Sequence, residues 1–361
     1  MEYFIYMTND CNLHCEYCSV LIDCNKLGMP IDPLYSLKQL KEFIIQTQKD
    51  QNSDEACICF FGGEPSLRYN KIAELINDFG DRIDRVIVKY VLHTNGLMLN
   101  QIPVSVLSSL SLVMHSINYE KIPRYQLMKS YFSDSIEGID YIKGNSEVAT
   151  MCRLTVTEKT SIYTEIMLVE HFFGYVYWQI VNCLFFEDFP SFFRTYTYEI
   201  KLVFNYWFDQ YKKGVFIKLV PFISILKFLF SPDREGTSFI CGYGTSMIYV
   251  QTDGKCYACS DNVESKEHYI GDIYSGVKLP KPTLSKYKCK LCQYRMICMG
   301  RCGRMHVEFS EEHISEYCQL NQFMFNLFIA KKVEIQDIYN NNPNYSNILN
   351  DPILEYTEFT P

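Results

Sequence analysis

Tyr3-Phe4-Ile5-Tyr6-Met7-Thr8-Asn9-Asp10-Cys11-Asn12-Leu13-His14-Cys15-Glu16-Tyr17-Cys18 decides how this chain is read. The apolar and aromatic run over Tyr3–Thr8 predicts a strand. Three cysteines follow it within eight residues, spaced Cys-x3-Cys-x2-Cys. Three thiolates on a loop leaving a strand can converge on one metal centre. A [4Fe–4S] cube has four irons, so three protein ligands leave one iron open to something that is not protein. The plainer alternative is a zinc site completed by His14 or by a distant ligand.

Further strand-like runs lie at Ala56–Phe61, Val86–Leu92, Leu112–Ser116, Met151–Thr157 and Tyr175–Val181. Helix-period segments separate them at Leu37–Gln48, Lys71–Phe79, Ile136–Ile142 and Tyr163–Phe173. Strands alternating with helical sequence predict an α/β fold with a parallel sheet, which right-handed crossovers curl into a complete or partial barrel. In such folds chemistry sits at the C-terminal ends of the strands.

The chain has 361 residues, 48% of them hydrophobic and 21% charged, enough for a substantial core in two ordinary domains or one large one with an appendage. Its net charge of −8, from 34 basic and 42 acidic residues, argues against a protein held on nucleic acid by phosphate contacts. Met1-Glu2-Tyr3 begins no signal peptide. The longest apolar run, Gly214 to Ser231, is broken by Lys218, Pro221 and Lys227 and reads as a buried or amphipathic helix, not a membrane span. Sixteen cysteines without an export signal point to a cytoplasmic protein that uses them for metal ligation rather than disulfides.

The Cys-x3-Cys-x2-Cys loop resembles that of the radical S-adenosylmethionine (SAM) superfamily. The resemblance implies that Cys11, Cys15 and Cys18 hold a [4Fe–4S] cluster whose open iron is chelated by SAM, with Tyr17 beside it. The second strand ends in Phe60-Phe61-Gly62-Gly63-Glu64-Pro65, similar to the family's Gly-Gly-Glu-Pro motif, whose backbone and acidic side chain meet the SAM amino group. Paired glycines at a strand end permit close backbone approach, and a bland Gly-Gly turn is the alternative. The third strand ends in His93-Thr94-Asn95-Gly96, like the Thr-Asn-Gly of many members, which nominates Asn95. The fourth ends in His115-Ser116-Ile117-Asn118, where relatives carry Ser-Leu-Asp-Gly. Ser116 keeps the position expected to touch SAM, and Asn118 replaces the acid. In the fifth strand, alternation puts Cys152, Leu154 and Val156 on one face and Arg153, Thr155 and Thr157 on the other. Arg153 is then a candidate partner for the SAM carboxylate, or an arginine packed in a structural network. Gln179 reads as a polar core residue.

After about residue 232 cysteines become dense. Met247–Gln251, an Asp253-Gly254 turn and Cys256–Ser260 predict a hairpin. Cys241 is followed by Gly254 and Cys259, then Cys289-x2-Cys292-x5-Cys298-x3-Cys302 and, fifteen residues on, Cys318. This pattern resembles the SPASM domain, a C-terminal module of radical SAM enzymes with two auxiliary [4Fe–4S] clusters. A treble-clef-like zinc domain is the alternative. The resemblance implies a partial (β/α)6 TIM-like radical SAM barrel at 1–232, a small cysteine-rich SPASM domain at 233–320, and a C-terminal helix and tail at 321–361. The tail from Asn340 reads as a surface extension. By resemblance, Cys289, Cys292, Cys298 and Cys318 fill the outer auxiliary cluster, and Cys241, Cys259 and Cys302 hold the inner one. Seven cysteines leave one of eight positions open, or Cys256 fills it. Cys24, Cys57, Cys59, Cys152 and Cys183 read as structural.

The resemblance implies three [4Fe–4S] clusters and SAM as cofactors, and reductive cleavage of SAM to a 5′-deoxyadenosyl radical that takes hydrogen from an unactivated C–H bond. Members with these modules mostly modify ribosomal peptides or proteins. The expected partners are a peptide or protein substrate, a low-potential electron donor of flavodoxin or ferredoxin type, and a separate leader-peptide-binding protein, because the barrel begins at Tyr3. No nucleic acid and no membrane are expected. The leading expectation is a maturase installing a thioether or carbon–carbon crosslink, as in the short peptide-modifying radical SAM/SPASM group of archaea. The Trp178-Gln179 strand and the Val220-Pro221-Phe222 segment suggest that group. Anaerobic sulfatase maturation, forming formylglycine, is an alternative. Those relatives place an acid directly after the second SPASM cysteine, where this chain has Ser260, with Asp261 one residue late. Oxidation of a small alcohol or sugar is another. A non-catalytic iron–sulfur electron carrier is a third, though a carrier has no need of the Gly62–Pro65 motif.

Overall fold

The computed structural model of the chain describes all residues except Glu16, 118–124, 183–185, 231–238, 281–286 and 357–361, with the side chains at 21–22, 125–132, 287 and 356 also excluded. Asn118, Cys183 and the start of the expected second domain at 233 therefore lie outside the described residues. The chain divides into two compact units. One comprises Met1–Ile117, Lys121–Thr150 and Gly242–Pro282; the other comprises Asn118–Glu120, Met151–Cys241 and Thr283–Pro361.

The first unit carries strands β1 (Glu2–Thr8), β2 (Glu55–Gly62), β3 (Arg82–Ile83), β4 (Val86–Thr94) and β5 (Leu112–Ile117). β1, β2, β4 and β5 pair in parallel in that order, and β3 lies antiparallel to β4. Helices α1 (Ser19–Leu27), α2 (Leu37–Asp50), α3 (Tyr69–Phe79), α4 (Val104–Leu107) and α5 (Tyr125–Asn145) lie between or after these strands. The strand faces follow the two-residue alternation of side chains. On one face Phe4, Phe61, His93 and the C-terminal Tyr249 form an aromatic cluster with ring centroids 4.5–6.0 Å apart. On the other, Tyr3 meets Phe43 of α2 edge-on at 6.2 Å.

The second unit takes β6 (Ala149–Val156) from Met151 onward, and β7 (Tyr175–Ile180), which pairs with it in parallel. The alternation expected in β6 is observed: Cys152, Leu154 and Val156 are buried, while Arg153 and Thr155 are half-buried. α6 (Ile162–Val169), α7 (Phe189–Lys212) and α8 (Val220–Phe230) follow. The apolar run before Ser231 is a buried helix, as its interrupted pattern implies, and no helix among the described residues is long and apolar enough to cross a membrane. Trp178 on β7, Phe204 and Trp207 on α7, and Phe222 on α8 pack edge to face as the aromatic core of this unit. Trp178 and Phe222 are thus core residues, and that role accounts for them.

After Cys241 the chain returns to the first unit. β8 (Met247–Val250) pairs in parallel with β1, extending the sheet beyond it, and β9 (Lys255–Tyr257), β10 (Tyr269–Asp272) and β11 (Gly276–Val277) continue antiparallel. β8 and β9 are the hairpin expected from the Asp253-Gly254 turn. The second unit then adds α9 (Tyr287–Lys290), α10 (Arg295–Cys298), α11 (Gly303–Glu308), α12 (Glu311–Ala330), α13 (Lys332–Asn340) and α14 (Asn344–Leu349). The tail is not a surface extension. Tyr345, Leu349 and Leu354 are buried, Tyr345 packs on Tyr211 at 4.8 Å, and Tyr175 donates its hydroxyl to Asp351. Its Asn and Tyr content conceals an apolar stripe too short to read as a helix period.

Candidate active site and cysteine centres

The cysteine loop begins where β1 ends, and the double glycine fixes its path. A Cβ on Gly62 would lie 2.3 Å from Thr8 O, and one on Gly63 would lie 2.2 Å from Asp10 O. Gly62 also has φ 119°, a region that side-chain-bearing residues rarely adopt. The close approach inferred from Gly62-Gly63 is therefore one of backbone to backbone: Gly63 N–H donates to Thr8 O at 2.9 Å and Glu64 N–H to Asp10 O at 2.8 Å. The opposite flank of the segment is held as well. Asn9 donates its amide to Pro30 O and Thr252 Oγ1, both at 2.8 Å, and Cys24 donates its thiol to Asn9 Oδ1 at 3.2 Å.

Glu64 is 1% exposed, and its carboxylate is surrounded by donors. Oε1 accepts from Ser66 N–H at 2.9 Å, from the Ser66 hydroxyl, and from the Thr94 hydroxyl at 2.7 Å; Oε2 accepts from Asn95 N–H at 2.7 Å. Burial pushes the carboxyl above its usual range, and these hydrogen bonds oppose the shift. Asn95 in turn donates its side-chain amide to Asn12 Oδ1 at 2.7 Å, inside the cysteine loop. His115 Nε2 lies 2.9 Å from Asn95 O, and burial holds its pKa down at about 4. A neutral ring with Nε2–H donating to that carbonyl fits both facts. Glu64, Thr94, Asn95, Asn12 and His115 thus tie the C-terminal ends of β2, β4 and β5 to the loop. Asn12, Thr94 and His115 were not nominated from sequence; the available signals were polar side chains at strand ends for Thr94 and His115 and, for Asn12, its place within the cysteine loop.

Cys11, Cys15, Cys18 and Tyr17 are half-buried on that loop, and Cys18 caps α1. Burial first, and then Glu64, Cys18 and Cys15, push the Cys11 thiol up to about 12, against the Leu13 N–H that it accepts at 3.4 Å. The three thiols are electrostatic neighbours. Ser116 is half-buried near the end of β5. Arg153, in the second unit, donates to Gln179 of the adjacent strand.

Within the second unit the four outer cysteines are electrostatic neighbours. Burial pushes the Cys298 thiol up to about 12, with Cys318, Cys289 and Cys292 adding to it, and Cys318 is raised to about 11 by burial, Cys289 and Cys292. Among the described residues no group of three or more His, Cys, Asp or Glu side chains is placed to hold a metal ion. Cys302 receives the Asn182 amide at 3.5 Å; Cys241 and Cys259 are half-buried. Cys57, Cys59, Cys152 and Cys256 are buried in strands.

A parallel α/β sheet with a three-cysteine loop after its first strand is the arrangement of a radical SAM domain. Residues 5–157 match the model of the Radical SAM superfamily, and the chain carries such a domain. It is 22% identical over 337 residues to a cysteine-type anaerobic sulfatase-maturating enzyme of Clostridium novyi, covering 82% of this chain and 86% of that one. It is 28% identical over 108 residues to the radical SAM cyclopropyl synthase TigE of Paramaledivibacter caminithermalis, covering 26% and 22%. Its fold resembles that of native anSMEcpe with bound AdoMet, with TM-score 0.69, 18% identity, and 94% and 99% of the two chains covered. The same protein with AdoMet and the Cp18Cys peptide gives TM-score 0.66.

Proposed function

We propose that this radical SAM enzyme is a peptide or protein maturase of the radical SAM/SPASM kind, installing a thioether or carbon–carbon crosslink in a ribosomally made substrate. The observation that carries the reading is the seven-cysteine pattern behind a radical SAM domain. Cys11, Cys15 and Cys18 would hold the SAM cluster, Cys289, Cys292, Cys298 and Cys318 the outer auxiliary cluster, and Cys241, Cys259 and Cys302 the inner one. When bound, the first cluster and SAM supply a carbon-centred radical able to take hydrogen from an unactivated C–H bond. Gly62, Gly63, Glu64 and Asn95 position the loop that binds them; Tyr17, Ser116 and Arg153 are the remaining candidates for SAM contact. A low-potential flavodoxin or ferredoxin would supply electrons in the cytoplasm, and a separate protein would present the leader.

Formylglycine formation is the second reading, favoured by the full-length likeness to sulfatase-maturating enzymes. Asp261 is its candidate base. Here Asp261 accepts the Ser19 hydroxyl at 2.6 Å, one residue after Cys18. The first experiment is anaerobic production of 5′-deoxyadenosine from SAM and dithionite. Changing Cys11, Cys15 and Cys18 together to Ala should abolish it and remove about four irons; surviving cleavage would mean the first cluster is misassigned. Mass spectrometry of peptides encoded beside this gene, and of a cysteine-bearing sulfatase peptide, then separates the readings. A crosslink loses two hydrogens and keeps sulfur, whereas formylglycine from cysteine loses two hydrogens and also exchanges sulfur for oxygen.

A further inference from the structure

The short loop between Cys298 and Cys302 has an unusual backbone. Met299, Gly300 and Arg301 all have positive φ, at 46°, 75° and 58°. For two side-chain-bearing residues this conformation is unfavourable and persists only where the surroundings enforce it. It turns Arg301 inward, where the residue is only 6% exposed. Nη2 donates to Ile180 O at 2.9 Å, and Nη1 to Asn182 Oδ1 at 2.7 Å and to Met305 Sδ at 2.7 Å. The guanidinium lies over the Tyr317 ring at 4.6 Å, and Tyr317 donates its hydroxyl to Val181 O at 2.7 Å. Asn182 uses its other end on Cys302 Sγ at 3.5 Å. One buried cation therefore sits between the end of β7, the Cys302 thiol and the helix that carries Cys318.

We propose that Arg301 and Asn182 form a polar bridge between the ligands of the two auxiliary clusters and hold the clusters' reduction potentials up. This rests on the assignment of those seven cysteines to clusters. Every added electron makes a thiolate-ligated cluster more negative, and a nearby buried positive charge stabilises that form. An N–H donated to a ligand sulfur acts in the same direction. Arg301 acts on the outer four cysteines through space: its main-chain N–H donates to Cys298 O at 2.8 Å, and its guanidinium covers the ring of Tyr317, the residue before Cys318. It reaches Cys302 through the Asn182 amide, whose oxygen it fixes so that the nitrogen faces the sulfur. Arg301 is a positioning and electrostatic residue, not a catalytic one.

The test is a dithionite titration of the anaerobically reconstituted full chain, followed by electron paramagnetic resonance. Arg301→Gln should lower the equilibrium for reduction of the outer cluster about tenfold, which is about 59 mV for a one-electron couple, with iron content unchanged. Arg301→Lys keeps the charge and should recover most of that shift. Unchanged potentials in an iron-replete Gln variant, or a Lys variant as low as the Gln one, would overturn the proposal. Should the Gln variant fail to hold iron, Asn182→Asp decides. A carboxylate in place of the amide must lower the potential of the Cys302-bound cluster, and an unchanged value counts against the bridge. Wild-type protein without any iron–sulfur signal would overturn the cluster assignment itself, a different failure from unmoved potentials.

Discussion

Asn95 donates its main-chain N–H to Glu64 Oε2 at 2.7 Å, so the ends of β2 and β4 are held by one buried carboxylate. Its other oxygen is occupied by Ser66 and Thr94. From sequence, Glu64 was expected to meet the SAM amino group through its side chain. In the structure that side chain accepts from Ser66, Thr94 and Asn95, and through Asn95 and Asn12 it is connected to the cysteine loop.

Glu64→Gln separates the two roles. Gln presents an NH2 to a donor where the carboxylate presented an oxygen, leaving buried groups unsatisfied at a cost of about 1–3 kcal/mol. Thermal or urea unfolding should show that loss in the absence of SAM, together with weakened SAM binding. Weakened SAM binding with stability intact would favour the direct contact.

Gly63→Ala tests the close backbone approach. The added methyl would fall 2.2 Å from Asp10 O, which is backbone and must move. Cys11 follows Asp10 directly, so the variant should retain the auxiliary iron and lose about four irons from the first cluster. Full iron content, measured after reconstitution, would mean that the loop tolerates displacement.

The strand and helix alternation and both cysteine patterns were legible because period and spacing are local properties of sequence. What each polar group bonds to is not local. The double glycine announced a close approach, but nothing nearby in sequence said that Thr8 and Asp10 make it. Arg153 could be placed on a strand face, whereas its Gln179 partner lies on the next strand and depends on register. The long helix α7 was missed because aromatic residues crowd both its buried and its exposed faces, and the tail because its apolar positions are few and separated by asparagine.

His115 gives a pH prediction. Burial holds its pKa at about 4, below the ordinary 6.5, so the folded chain keeps the ring neutral. The unfolded chain takes up a proton as pH falls through 6.5, and the folded chain does so only near 4. Stability contributed by the neutral ring is present above 6.5 and declines as pH falls toward 4, with about 2 kcal/mol lost by about pH 5. His115→Gln should be less stable than wild type near neutrality and should lose less on acidification. Parallel stability curves for the two proteins would place the acid sensitivity elsewhere.

Cys256 is the rival for the eighth auxiliary ligand. It lies in β9, opposite Val250 of β8 and Gly271 of β10, and is fully buried, with its Sγ 3.8 Å from Gly254 O. Burial, and then Asp272 and Asp253, push its thiol well above the ordinary value. Cys259 lies beyond the strand end and is half-buried. Cys256→Ala should therefore keep about twelve irons and unchanged cluster spectra, while costing about 1 kcal/mol of stability for the small cavity. On this account the inner cluster, with Cys241, Cys259 and Cys302 as its cysteines, keeps one iron for water, another side chain or a substrate thiolate. Loss of about four irons in the variant, or Cys256 sulfur within about 2.3 Å of iron (the zinc–thiolate length as a guide), would close that position and remove the simplest route to a thioether.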